Sequence, residues 1–301
     1  MNNLKNYNIL VLVVSSDTYP SKRNKKSLLK TWVKNIPTNI NIYFYKAGRS
    51  TTIKKNNELI LEVGKSTRDM SKKNILAFEY VLKNFDFDFI FRTNTSSYVN
   101  LNNLKNFINC NLSNEDYVYC GKVMETNDMQ GNKCIYVNGA GIILSRKTLQ
   151  AIVDQKDKLD YLLWDDLGLG KLLTEECNIF PTDGLRHDIP GNIFKHNTER
   201  NHYHYRCRID NHYGYPRFLE SLLIKYLHYY LIGVKTNKKL NKLRSFIFEL
   251  SKLLYIQYPF WKLFLFAKLA LKKILPKQFF IFLKNKYSII NNKIQLRYFK
   301  Y

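Results

Sequence analysis

The chain has 301 residues, 45% of them hydrophobic, so it is long enough to bury one full core and carry an appendage. Its net charge of +24 indicates anionic partners such as lipid headgroups, phosphates or nucleic acid. Residues 221–301 hold 17 Lys or Arg and one acid, Glu249. We therefore expect two unlike parts, a domain at 1–215 and a basic region at 216–301.

Cysteine usage and the first apolar run indicate the compartment. The five cysteines are an odd number, are widely spaced and include no Cys-x-x-Cys pair. They favour reduced thiols in a cytosolic protein over a disulfide framework. The run Asn8–Ser15 is too short to span a membrane and continues directly into polar residues, as a first buried strand does. We expect a cytoplasmic protein.

Apolar runs alternate with helical patterns through the first two thirds of the chain. Ile9–Val14 is a continuous apolar run, typical of a parallel strand covered on both faces. Met70–Lys83 has helical spacing, with Ile75 and Phe78 on one face. Further strands are predicted at Ile40–Tyr45, Glu58–Val63, Phe87–Phe91, Tyr117–Val123 and Cys134–Ser145, and further helices at Lys26–Val33, Asn102–Ile108, Leu149–Val153 and Leu167–Thr174. This alternation predicts an α/β fold with a Rossmann-type mixed sheet flanked by helices.

The last part of the chain has a different pattern, beginning after a linker at Asn211–Pro216. Basic amphipathic helices are predicted at Phe218–Val234, Leu240–Tyr255, Phe260–Leu275 and Gln278–Lys286. Lysines interrupt every one, so none approaches the roughly 20 apolar residues of a transmembrane helix. Such helices lie in the headgroup plane of an anionic membrane, and their dense apolar content disfavours nucleic-acid binding. Alternatively, they pack on the sheet and complete its core.

The predicted strand Phe87–Phe91 leads into Arg92 and then a polar cluster, Asn94, Thr95 and Ser96. In open α/β sheets, ligands bind at the carboxyl ends of strands. These side chains, together with Ser15 after the first strand, are therefore candidate ligand-binding residues. The alternative is that the cluster only caps a loop.

Several segments resemble motifs of fringe-like and β-1,3-galactosyltransferase-like enzymes, glycosyltransferase family 31, in the order found there. Tyr136–Leu149 resembles their Gly-x-Gly segment, and Leu163–Leu173 resembles the segment with their acidic pair. Arg23–Trp32 is similar to their Arg-rich element ending in Thr-Trp, and Lys73 stands where they carry a Lys. The resemblance implies a GT-A-like fold and inverting hexosyl transfer, of β-1,3 type, from a UDP-sugar to a saccharide acceptor.

The resemblance also implies roles for particular residues. Asp166, with Asp165 beside it, would be the base that deprotonates the acceptor hydroxyl, although acids at helix starts also complement the macrodipole. The donor site would include Lys73, Arg92, Asn94, Thr95, Ser96 and Ser15. The sugar pocket would include Asn138, Gly139, Gly141 and Trp164, although the glycines are equally consistent with a bulge or tight turn.

One departure from the family's pattern concerns metal binding. Where those enzymes carry three acids, this chain has Asn94, Thr95 and Ser96, and such neutral groups are poor ligands for Mn²⁺ or Mg²⁺. No cofactor is certain, and a divalent ion would be weakly held. Candidates for contacting the diphosphate or a metal are His196, Arg206 and Arg208. A zinc site built from His202, His204 and Cys207 would supply only three ligands.

Charge and resemblance together predict the setting. The acceptor would be a saccharide or lipid-linked saccharide of a surface-polysaccharide pathway, and the protein would sit peripherally on the inner face of the membrane. No nucleic-acid partner is expected. The rival hypothesis is a non-catalytic sugar-binding or scaffold protein that kept the fold and lost the acids.

Overall fold

The computed structural model describes residues 5–54, 57–127, 131, 133–189, 199–208, 217 and 219–232. The strands in this part are β1 (Ile9–Val14), β2 (Ile40–Gly48), β3 (Thr52–Lys54), β4 (Glu58–Glu62), β5 (Phe89–Asn94), β6 (Ser97–Val99), β7 (Tyr119–Asn127), β8 (Lys133–Ser145), β9 (Thr182–Asp183), β10 (Arg186–Asp188) and β11 (His204–Arg206). The α-helices are α1 (Ser21–Leu28), α2 (Met70–Asn84), α3 (Leu101–Asn111), α4 (Arg146–Asp154), α5 (Asp165–Lys171) and α6 (Leu219–Leu231).

Eight strands form the main sheet in the order β3-β4-β2-β1-β5-β8-β7-β9. The four strands β4, β2, β1 and β5 are parallel, whereas β8 runs antiparallel to β5. The chain passes from β1 to β2 on one side and later returns to β5 on the other, so a topological switch point lies between β1 and β5. A smaller sheet has the order β10-β11-β6. The predicted mixed α/β sheet flanked by helices is confirmed.

One hydrophobic core cluster lies between the main sheet and the helices α2, α4 and α5. On α2, Ala77, Phe78 and Val81 are 0–1% exposed, and on α4 Leu149 and Ile152 are fully buried. Removing side chains of this size from water stabilises the fold by about 1.5–3 kcal/mol each. This burial holds α2 and α5 against the sheet and so fixes where their first turns lie.

Two predicted boundaries differ informatively from the structure. The helix predicted at Lys26–Val33 begins at Ser21 instead, and it buries Asn24 and Ser27. These polar residues on the buried face concealed the helical pattern. The strand predicted to end at Phe91 continues to Asn94, because its polar residues keep pairing with β1 and β8. The short strands β3, β6 and β9 to β11 were not predicted, since two or three residues show no period.

Helix α6 is the first of the four predicted C-terminal helices. Its apolar face is buried against protein, with Leu219, Leu223, Ile224 and Leu227 at most 3% exposed, and it packs on α1. The chain divides into two compact units, 1–247 and 248–301, and all described residues belong to the first. The other three predicted helices lie outside the described residues. No helix in the described part is long and apolar enough to cross a membrane.

Candidate active site

Four segments meet at the carboxyl edge of the central strands. They are the residues after β1, the turn that joins β5 to β6, Gly139 in β8, and the first turn of α5. Thr93 at the end of β5 bonds to Ala140 in β8, with 2.7 Å between its Oγ1 and the carbonyl oxygen. Gly139, next to Ala140, bonds to Asp166 of α5. The sequence-predicted acids and the polar turn are therefore brought together.

Arg92 lies beneath this edge with 3% of its surface exposed. Its Nη2 donates to Asp165 Oδ2 at 2.7 Å, its Nε donates to the Tyr45 hydroxyl at 3.1 Å, and its Nη1 donates to the Gly139 carbonyl oxygen. Burial opposes the positive charge, but Tyr45 and Asp165 outweigh it and raise the pKa of Arg92. Arg92 is thus a buried cation held by protein groups, and its contact with the donor stays a prediction.

Asn74 completes the network around Arg92. Its Nδ2 donates to Asp165 Oδ2 at 3.0 Å, and its Oδ1 accepts from the Tyr45 hydroxyl at 2.7 Å. The Asp165 carboxylate is therefore neutralised by Arg92 and oriented by Asn74. Tyr45 and Asn74 were not predicted as site residues, because each belongs to an element whose local pattern is purely structural.

Asp166 is held differently from its neighbour. Its Oδ2 accepts from the Gly139 backbone amide at 2.8 Å, and its Oδ1 accepts from the adjacent Leu167 amide at 3.1 Å. It forms no ion pair with any described residue. A Cβ on Gly139 would lie 2.9 Å from Arg92 Nη1 and 3.2 Å from the Asp166 Cβ, so a larger residue there would crowd both side chains. The half-buried carboxylate is oriented and keeps lone pairs to accept a proton.

Of the other predicted sugar-pocket residues, one is exposed to solvent and two contact other residues of the protein. Trp164, immediately before α5 and two residues before Asp166 in the sequence, is 75% exposed. Asn138 is occupied, since its Oδ1 accepts from Arg186 Nη1 at 2.8 Å. A Cβ on Gly141 would collide with the His204 ring, so packing rather than a ligand explains this glycine.

The turn after β5 uses its polar side chains internally. Asn94 Oδ1 accepts from the Ser96 amide at 2.9 Å and from Ser97 Oγ at 3.3 Å. Thr95 Oγ1 donates to Ser21 Oγ at 3.1 Å, and Ser96 Oγ donates to a carboxylate oxygen of Glu220 at 2.9 Å. The described residues contain no group of three or more side chains of the kind that hold a metal ion. The side chains of this turn are neutral and bonded to protein, so they do not suit Mn²⁺ or Mg²⁺ as ligands.

Lys73 lies in the first turn of α2 and is 5% exposed. Its ammonium makes no hydrogen bond or ion pair with a described residue. Burial lowers its pKa, an effect that the nearby charge of Asp69 opposes. Lys73 is therefore a buried side chain whose ammonium can donate hydrogen bonds to an anionic ligand.

Ser15 is engaged, since its Oγ donates to the Tyr45 carbonyl oxygen at 3.3 Å.

The structure describes only part of the histidine-rich segment. His196 lies outside the described residues, whereas Arg206 lies opposite Ser97 in the pairing of β11 with β6, and Arg208 is exposed just beyond β11. His204 Nε2 lies 2.9 Å from Ser97 Oγ, and burial holds the pKa of His204 well below its ordinary value. With His204 engaged there, the zinc alternative is not supported among the described residues.

Comparison with known proteins gives distant likenesses. No family model matches the chain, and no curated protein matches it. Among solved structures, a glycosyltransferase involved in glycosylation of the major capsid of PBCV-1 is 9% identical, with a TM-score of 0.44, over 72% of this chain and 98% of that one. The glycosyltransferase GlyE of Streptococcus pneumoniae TIGR4 is 10% identical, with a TM-score of 0.40, over 67% of this chain and 55% of that one. At such distances, the site is interpreted from its own residues.

Proposed function

We propose that the protein is an inverting glycosyltransferase that moves a sugar from a UDP-sugar to a saccharide acceptor. The observation that carries this proposal is the unequal pair at the start of α5. Asp165 is neutralised by Arg92, whereas Asp166 is oriented by backbone amides and has no ion-pair partner among the described residues. A base needs an oriented carboxylate that is open to a new proton. The ordered motif resemblance supports the choice of substrates.

In this mechanism, Asp166 accepts the proton of the acceptor hydroxyl as the oxygen attacks the anomeric carbon. The new bond forms between that oxygen and the anomeric carbon, the bond from the anomeric carbon to the diphosphate oxygen breaks, and UDP leaves with the electron pair. Displacement from the opposite face inverts the configuration. The buried ammonium of Lys73 would stabilise the negative charge that develops on the leaving diphosphate.

The exposed Trp164 is the best-placed acceptor contact. Three quarters of its surface is open to solvent, and it directly precedes the two acids of α5. An aromatic face beside a base suits a sugar ring, which presents C–H groups on its faces and hydroxyls around its edge. We therefore assign Trp164 to the acceptor side and the β1–β5 edge to the donor side.

The decisive experiment incubates purified protein with individual UDP-sugars and follows UDP release, with and without saccharide acceptors. Release or transfer by the wild type that is lost in Asp166→Asn supports the enzyme. The scaffold hypothesis expects binding of sugar or nucleotide without UDP release from any donor. The scaffold hypothesis would therefore be supported if neither the wild type nor the variant released UDP from any donor.

We further propose that the protein works as a peripheral protein on the inner face of an anionic membrane, with a lipid-linked saccharide as acceptor. The charge of residues 221–301 supports this. So does a row of exposed lysines on and after α1, at Lys22, Lys26, Lys30 and Lys34, none of which pairs with a described acid. Sedimentation with anionic liposomes should weaken with salt, and binding to neutral liposomes should be absent. Equal binding to both would contradict the proposal.

A further inference from the structure

Arg217 lies just before α6 and beside the turn that ends β5. Its Nε donates to Glu220 Oε1 at 2.7 Å, and its Nη2 lies 3.3 Å from Glu220 Oε2 and 3.4 Å from Ser96 Oγ. Its Nη1 donates to none of the described residues, and 32% of the side chain is exposed. One side of the guanidinium is thus held by protein, and no described residue bonds to Nη1 on the other side.

Glu220 determines where this guanidinium lies. Its side chain is completely buried, and Oε2 accepts from Asn24 Nδ2 at 2.6 Å and from Ser96 Oγ at 2.9 Å. A buried carboxylate without partners costs several kcal/mol, so these donors and Arg217 must act together. Because Asn24 is on α1 and Ser96 is on the turn, Glu220 ties α6 to both and fixes Arg217 at the carboxyl end of β5.

The position matters because β1 and β5 flank the switch point of the sheet, where ligands of open α/β folds bind. The first turn of α1 begins there with Ser21, which bonds to Thr95 of the turn. A second guanidinium is close to the same junction, since Arg23 Nε donates to Ser221 Oγ at 3.1 Å. A helix start and two guanidiniums favour an anion, and the Nη1 of Arg217 keeps its N–H groups for phosphate oxygens, since none of them donates to a described residue.

We propose that Arg217, oriented by Glu220, binds the diphosphate of the donor through hydrogen bonds donated by its Nη1. The inference rests on the proposed function. As the bond to the anomeric carbon breaks, negative charge accumulates on the diphosphate, and a fixed guanidinium stabilises it without a metal. Arg217 is then a diphosphate-binding residue, and Glu220 is its positioning residue.

Calorimetry of the full-length protein with UDP, uridine and inorganic pyrophosphate tests the inference. Charge-assisted hydrogen bonds of this kind correspond to about 10- to 100-fold in affinity. Arg217→Gln should lose that factor for UDP and for pyrophosphate but bind uridine like the wild type. Arg217→Lys should recover part of the lost affinity, because lysine restores a charged N–H donor but not the planar guanidinium. Glu220→Gln should reduce the UDP-to-uridine affinity ratio in the same direction.

A matched control is Lys83→Gln, which removes one exposed and unpaired positive charge at the far end of α2 and should leave all three affinities unchanged. Arg217→Gln with wild-type affinity for UDP and pyrophosphate overturns the inference, as does an equal loss of uridine binding. Strong Mn²⁺ dependence of UDP binding in the wild type also overturns it. Pyrophosphate bound through Arg217 without any UDP binding upholds this site and removes the UDP-donor proposal. Binding of neither ligand removes both.

Discussion

The first turn of α5 and the turn after β5 lie at the same sheet edge but use carboxylates in opposite ways. In α5 two adjacent acids come from the local sequence; Asp165 is neutralised by Arg92 and Asp166 stays without an ion-pair partner among the described residues. The β5 turn has no acid of its own. Its carboxylate comes from Glu220, 124 residues beyond Ser96, and every oxygen of it is engaged.

This difference shows that a carboxylate's surroundings, more than its presence in a motif, decide its role. Asp165 and Glu220 both hold a buried or partly buried arginine, so they act on structure and position. Asp166 holds no cation among the described residues and is available for proton transfer. In the proposed mechanism, proton transfer belongs to the first turn of α5 and electrostatic support to the turn after β5, so each can be perturbed separately.

The largest expected effect is on catalysis at α5. Asp166→Asn should reduce transfer by about 10²–10⁴-fold, the usual range for loss of a general base, while donor affinity is kept. The amide still accepts from the Gly139 amide, so the fold should be retained. Transfer rates at saturating donor and acceptor check this, with donor affinity measured beside them. Wild-type turnover would remove Asp166 from the mechanism.

Substitution of the neighbouring acid, Asp165, should lower the free energy of unfolding. Asp165→Asn leaves the Arg92 cation buried without its ion-pair partner and should cost about 2–3 kcal/mol of unfolding free energy. This lies at the lower end for a broken buried pair, because the Asp165 side chain is 19% exposed. Urea denaturation measures the change. If Asp165→Asn were fully stable but as inactive as Asp166→Asn, Asp165 would have a role in catalysis rather than only in stability.

Acid should destabilise the region behind the β5 turn. Burial keeps His204 neutral in the folded state, while the unfolded imidazole binds a proton near pH 6.5, so the unfolded state gains protons as pH falls. Stability should therefore drop by up to about 1.4 kcal/mol per pH unit below about 6.5 on this account. His204→Gln should flatten the pH dependence of the unfolding free energy by about one proton. An unchanged slope would show that His204 is protonated in the folded protein.

The smallest expected effect is that of chelation. The side chains of the turn after β5 are bonded to protein and include no carboxylate. A reaction that needs no bound metal should be nearly insensitive to chelation, so EDTA should change the transfer rate by less than about twofold. Initial rates with EDTA and with added Mn²⁺ measure this. Complete loss with EDTA, reversed by Mn²⁺, would mean that ligands beyond the turn build a metal site.

Some of this site was predictable because its pattern is local. The apolar spacing after the paired acids predicts a helix, which places the acids at its start. Strand β1 is a continuous apolar run and is predicted from that pattern. The sequence predicts that strand β5 ends at Phe91, because the polar residues Arg92, Thr93 and Asn94 are typical of a loop. They continue the strand only because β1 and β8 offer backbone partners on both sides.

The partners of the turn could not be predicted in this way. Glu220 bonds to Asn24 across 196 positions and to Ser96 across 124, and no local period encodes such contacts. One indication was present: between Asp210 and Glu249 the sequence contains a single acid, Glu220. An isolated carboxylate at the start of an otherwise basic amphipathic helix is worth examining as a buried partner.

The contact between Glu220 and Ser96 also has a consequence for synthesis on the ribosome. The chain emerges from its amino terminus, so β1, β5 and β8 are complete before α6 exists. The edge then lacks both Arg217 and the carboxylate that orients it until about 125 further residues have followed Ser96. A nascent chain that stops before residue 217 would hold the strands of the sheet and the α5 acids without a completed diphosphate site. Under the proposed function, α6 is therefore the last described element that the donor site needs.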